Sequence, residues 1–332
     1  MRNPKYTTQL THGTGMINET LSLLSIYQEG MDKDALIKCV KENDCLSCKT
    51  ENRLVHIIYD VFFQRFMKVN PNVPLWLKLI RECGLSLKHF TQLLMVYCAR
   101  ENAVFFDAVT KILNSCKNED LHIVDRDAFT KYVENLVKEG RAKWSESVQK
   151  RNASYVRSCF IDYEMINRKG EILPYEVNDF TILYFMHEQH FARMSDMAIW
   201  EMEEWRLFNL TRHQVLDRIM NLSLKGAYMA QTSGELLTIS WNYKFEEALA
   251  YLSRPDILNP TGDRPICYVN YDVEDAMEVY RMIPLHLIPK AKFHGFANVK
   301  VLSIGKILQE YIHNHEYYDE VWVDEENEFD LY

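Results

Sequence analysis

Helical spacing governs most of this chain. From Met16 to Leu224 apolar residues return every three or four positions, in stretches bounded by residues that cap helices. With 11 Gly and 9 Pro in 332 residues, few positions interrupt a helix. The spacing predicts a helix over 16–29, with Gly30 just past its end, and one over 33–43 behind Asp32, with Leu36, Cys39 and Val40 inward. A third runs over 51–68 behind Thr50, with Leu54, Ile57, Ile58, Val61, Phe62 and Phe66 inward. Residues 74–117 read as two or three very apolar helices, and Asp125 or Asp127 starts another that ends near Gly140. Ser195 caps a helix to Phe208, and Thr211 to Gln214 is a capping box opening the next. The stretch 178–192 (NDFTILYFMHEQHFA) is apolar enough for either a strand or a helix.

The period changes late in the chain. Gly234 makes a turn, Leu236 to Trp241 is a strand, and 244–252 is a short helix. After a loop at Pro255, Asn259-Pro260, Gly262 and Pro265 comes a strand from Ile266 to Tyr271, then a helix over 273–288. A second strand, Asn298 to Ile304, and a second helix over 305–315 complete a small βαβα unit with a parallel strand pair. The fold expected is mainly α, with helix-turn-helix and winged-helix-like modules and this small C-terminal α/β unit. Its divisions are a three-helix module at 1–70, a helical domain at 71–252, the α/β unit at 254–315 and an acidic tail at 316–332.

Charge is unevenly placed. The net charge is −9, yet Glu310 to Tyr332 alone holds nine acids and no Lys or Arg. Against this, Arg141 to Gly170 carries seven basic residues and three acids. It reads as a helix capped by Ser145, with Val148, Tyr155, Val156, Cys159, Phe160 and Tyr163 on an apolar stripe. Lys150, Arg151, Ser154, Arg157 and Ser158 fall opposite. Arg168-Lys169-Gly170 then turn the chain, and Glu171 to Tyr175 fits a short strand. A basic-faced helix followed by a tight basic turn is the pattern of a winged-helix reader; an ordinary solvated helix carries the same face. The candidate phosphate contacts are Lys143, Lys150, Arg151, Arg157, Arg168 and Lys169, and a second set lies at the turn before the third helix, Lys49, Asn52 and Arg53.

Other chemistries find little support. Gly305-Lys306 lacks the rest of a P-loop, and neither GxGxxG nor GxSxG occurs. Cys45-Leu-Ser-Cys48 is half of a zinc site without its other half, and His187-Glu-Gln-His190 is one residue short of the zincin spacing. His313, His315, Glu316, Asp319 and Glu320 sit in a solvated run. No catalytic residue, metal or cofactor is therefore expected. Eight irregularly spaced cysteines suit a reduced cytoplasmic protein. The start has no apolar signal region, and no apolar run is long enough to span a bilayer.

Residues 5–252 resemble the BrxA family of bacterial bacteriophage exclusion (BREX) defence systems. The resemblance rests on Tyr6, Gly13-Thr-Gly15-Met16 running into Glu19, Tyr27-Gln-Glu-Gly30, Glu42-Asn43, and Lys49-Thr50 ahead of Arg53. Its most specific part is Ala230-Gln-Thr-Ser-Gly234-Glu-Leu-Leu-Thr-Ile-Ser-Trp241; the turn Asp44 to Cys48 departs from the pattern. Residues 254–315 resemble the opening of BrxB through Arg254-Pro-Asp-Ile-Leu258, Pro265 to Asp272, Glu274-Asp275, Val279-Tyr-Arg281 and Asn298 to Leu302. The resemblance implies a non-enzymatic accessory factor that binds double-stranded DNA beside the system's BrxB-like, PglZ-like, ATPase and methyltransferase components. Two other readings stay open: a scaffold of the defence complex with no nucleic-acid role, and an RNA binder in the manner of antitermination factors.

Overall fold

Caps set the first helices. Asp32 accepts from the N–H of Ala35 at 2.8 Å to open α2 (Lys33–Asn43), and Thr50 accepts from Arg53 at 3.2 Å to open α3 (Glu51–His56). The computed structural model describes residues 5–252 apart from 49, 84, 224–226 and 235, together with 266–269, 298–301 and 321–322. Residue contacts divide the chain into two units, Met1–Arg81 with Ser86–Ile219, and Glu82–Leu85 with Met220–Tyr332.

In the first unit α1 (Ile17–Ile26) stops earlier than its spacing predicts. Tyr27 takes an extended conformation, buries its ring, and donates its hydroxyl to the Pro71 carbonyl at 3.3 Å, so Gly30 lies in the following turn. Leu36 and Val40 of α2 are buried as expected, but Cys39 is only half-buried. The third helix changes winding: α3 runs into π-helical turns from Ile57 to Met67. There follow α4 (Val73–Glu82) and α5 (Leu87–Glu101). Next, α6 (Ala103–Ala108) continues through π turns at Val109–Leu113 into α7 (Asn114–Asn118).

The ambiguous stretch is a helix, α10 (Asp179–Phe191), capped by Asn178. Phe180 to Glu188 are all buried, so no polar face marks its period, and a helix apolar all round reads like a buried strand. The segment behind Ser195 is broken in two, α11 (Asp196–Trp200) and a 3₁₀ stretch, Glu203–Phe208. Thr211 and Gln214 form the capping box that opens α12 (Arg212–Ser223).

Two features hold this unit's interior. Rings of Tyr27, Phe62, Phe66, Tyr97 and Phe185 meet in sequence at 5.3 to 6.2 Å between centroids. Beside them, buried Arg100 donates to Glu188 at 2.6 Å and to Glu204 at 2.7 Å, tying α5 to α10 and the 3₁₀ stretch. Burial pushes the Glu204 carboxyl up, and Arg100 more than offsets it, so Glu204 ionises below its ordinary range.

In the second unit β1 (Tyr228–Ser233) and β2 (Leu236–Trp241) form an antiparallel hairpin around Gly234, at φ +61°. The strand β2 and the turn match the spacing; β1 is an addition, since its half-polar run MAQTS lacks alternation. Next comes α13 (Phe245–Leu252). Then β3 (Ile266–Val269) pairs in parallel with β4 (Asn298–Val301), Ile266 opposite Asn298, and with β5 (Val321–Trp322), in the order β4-β3-β5. The helices expected at 273–288 and 305–315, and the tail beyond Trp322, lie outside the described residues. No described helix is long and apolar enough to cross a membrane.

Candidate nucleic-acid interface

The basic stretch folds into α8 (Arg126–Lys138), a short loop, α9 (Glu146–Asp162) and a tight turn. Val156, Cys159, Phe160 and Tyr163 are buried, as the stripe predicts, while Val148 and Tyr155 are half-buried. Phe160 meets Phe129 of α8 edge-on at 5.0 Å and Phe105 of α6 at 5.9 Å, which fixes the roll of α9. Ser145 occupies the cap position of α9, but its hydroxyl contacts Ser147 instead of a backbone N–H.

Beyond α9 the chain turns back on itself. Ile166 bridges Ile172, and Glu171 bridges Ile123, both antiparallel. The N–H of Val124 donates to Gly170 and that of Ile172 to His122, each at 2.8 Å, while Asn167 donates to Glu171 at 3.0 Å. Three short segments therefore lie side by side, with 170–173 in the middle. Asn167 shapes the turn: its side-chain oxygen accepts from the N–H groups of Lys169 and Glu171. Gly170 closes it at φ +95°, where a Cβ would stand 2.6 Å from the Val124 carbonyl oxygen.

This frame sets out the cations. Lys143 in the loop, Lys150 and Arg151 on α9, and Arg168 and Lys169 in the turn are all exposed. None of the five is paired with a carboxylate among the described residues. Lys150 and Arg157 stand seven residues apart and share a helix face. Arg157 joins the two parts: its Nη2 donates to the Arg168 carbonyl at 2.5 Å, so it braces helix to turn. Arg141, in contrast, is committed, 3.1 Å from both Glu139 and the Tyr6 hydroxyl.

The second candidate set is arranged differently. Asn52 is exposed in the first turn of α3, but Arg53 donates to the His12 carbonyl at 2.6 Å. Lys49 lies outside the described residues. Arg53 and Arg65 together hold the N-terminal loop: buried Arg65 donates to the carbonyls of Gly13, Thr14 and Gly15 at 2.7 to 3.2 Å. That loop in turn grips the end of α9 through Asp162 and Tyr163. No spacing in the sequence announces these carbonyl contacts, because backbone acceptors leave no residue-type signal.

The metal-type motifs separate. His187 is buried with Nδ1 2.6 Å from the Leu183 carbonyl, while His190 is half-buried further along the helix. Partial burial pushes the thiols of Cys45 and Cys48 up. Sequence reading missed His12, His56 and Asp60, whose ligand atoms lie within 4.8 Å of one another. Only the i,i+4 spacing of His56 and Asp60 hinted at it.

A family model described as BrxA matches residues 4–189, a range that includes the α8–α9 frame and its turn. A crystal structure of an uncharacterized protein from Magnetospirillum magneticum aligns at 11% identity and a TM-score of 0.45, covering 56% of this chain and 94% of that one. No curated protein matches the chain. Residues 254–315, likened above to BrxB, lie beyond the matched range.

Proposed function

This chain belongs to the BrxA family, a BREX-associated family, and we propose that it binds duplex DNA non-enzymatically through the outward face of α9 and the Arg168–Lys169 turn. Five exposed cations without described carboxylate partners sit together on the frame of α9 and the paired segments beside it. A helix pair, a strand segment before it and a two-segment return after it follow the winged-helix order, with α9 in the place of the reading helix. Lys150, Arg151 and Lys143 contact phosphates along one side, and Arg168 and Lys169 reach the backbone from the wing. Arg157 positions the wing against the helix. Phosphate contacts of this kind give sequence-tolerant binding that weakens with salt. The protein then acts as a positioning component among the other BREX proteins, BrxB-like, PglZ-like and methyltransferase.

The experiment is a fluorescence-anisotropy titration of a labelled duplex with the wild-type chain and the triple variant Lys150→Glu, Arg151→Glu, Lys169→Glu. Loss of binding in the variant, with the duplex outcompeting an RNA hairpin for the wild type, supports the reading. Equal binding by both proteins removes it.

A further inference from the structure

We propose that His12, His56 and Asp60 bind one borderline divalent transition-metal ion of the Zn²⁺ class. The three side chains come from two parts of the chain, the loop after the Gln9–Thr11 turn and the junction of α3 with its π-helical continuation. Asp60 Oδ2 lies 2.6 Å from His56 Nδ1 and 3.4 Å from His12 Nδ1, and the two imidazole centroids are 5.1 Å apart. Ligand atoms on a tetrahedral zinc, each about 2.0–2.2 Å from the ion, stand roughly 3.3–3.5 Å apart, so the His12–Asp60 spacing already fits and a small side-chain rotation that opens the His56–Asp60 pair completes the site.

The ligand types choose the metal class. Two imidazoles with one carboxylate suit Zn²⁺, Co²⁺ or Ni²⁺; Mg²⁺ and Ca²⁺ ask for oxygen ligands. The three groups are about a third to a half exposed, which leaves the remaining coordination positions to water. The backbone beneath them is already fixed. The N–H of His12 donates to Gln9 at 2.9 Å, its carbonyl accepts from Arg53, and Arg65 holds the next three carbonyls. His56 and Asp60 project from one helix face, and the π turns begin at Ile57, between them. The Arg53 guanidinium nearby opposes a cation, and the Asp60 carboxylate offsets it. Bound metal would clamp the N-terminal loop to α3. Because Gly15 of the same loop is bonded to Asp162, the clamp would also stiffen the base of α9.

The test titrates Zn²⁺ into the untagged full-length protein by isothermal titration calorimetry, beside His12→Ala, His56→Ala, Asp60→Ala and the double variant Cys45→Ser, Cys48→Ser. The proposal expects one Zn²⁺ per chain, unaffected by millimolar Mg²⁺. Each single ligand variant should weaken binding at least about tenfold, the floor set by losing mere outer-shell partners. The cysteine double variant should bind like wild type. His12→Ala changes a partly exposed loop side chain, so its fold, checked by far-UV circular dichroism, keeps the test readable if the helix variants unfold. Absence of stoichiometric binding, affinity unchanged in folded His12→Ala, or binding lost with the cysteines would each overturn the site.

Discussion

The side chain of Asp162, the last residue of α9, accepts a hydrogen bond from the N–H of Gly15 at 2.8 Å, joining positions 147 residues apart. The approach is so close that a Cβ on Gly15 would stand 2.5 Å from the Asp162 Cβ. Gly15→Ala must therefore push the loop off the helix. Overpacking of this kind costs typically 1–3 kcal/mol, so urea denaturation should show a loss in that range. A variant as stable as wild type would show that the loop does not hold α9.

Gly170→Ala tests the turn after α9. Its positive φ costs an L-residue roughly 1–2 kcal/mol, and the new Cβ meets the Val124 carbonyl oxygen. The expected outcome is lowered stability together with weakened duplex binding, read by thermal melt and anisotropy, because Arg168 and Lys169 lose their frame. Full duplex affinity in this variant would remove the turn from the interface.

Acid should weaken the first unit through His187. Burial lowers its pKa to about 4 from 6.5, with the Leu183 carbonyl only partly opposing it. The unfolded chain takes up this proton near pH 6.5, and the folded chain holds it off until about 4. The stability from this group is therefore full above pH 6.5 and falls as the pH drops from there through 4, by on the order of 3 kcal/mol. From about pH 4.5 down Glu204 adds to the loss, because the unfolded chain takes up its proton there while the carboxylate paired with Arg100 holds it off to lower pH. Denaturation midpoints at pH 7 and pH 4.5 should differ less in His187→Leu than in wild type.

Much of the α9 frame was legible in the sequence because its parts are side-chain patterns. The apolar stripe of α9 and the opposed cations follow directly from helical spacing, and the Arg168–Gly170 turn follows from its residue types, though not the part Asn167 plays in shaping it. What escaped was carried by the backbone and by tertiary packing. The N-terminal loop is organised by carbonyls that Arg53 and Arg65 bind, and those acceptors belong to no residue type. The α3 helix becomes π-wound at Ile57 without a Gly or Pro to mark it. α10 lacks a polar face, so its period is hidden. Arg157, chosen as a phosphate contact, spends a donor on the Arg168 carbonyl, which spacing alone does not reveal. His12 meets His56 and Asp60 only because the loop is pinned there.

If the five exposed cations of the α9 frame contact duplex phosphates, duplex affinity must fall steeply with salt. The most direct measurement is the dependence of duplex affinity on salt, for wild type and for Lys150→Glu, Arg151→Glu, Lys169→Glu. Five phosphate contacts give a log–log slope of about −4.5, and removing three leaves a slope of about −2 with markedly lower affinity. Two parallel lines of equal affinity would contradict the assignment of DNA binding to this face.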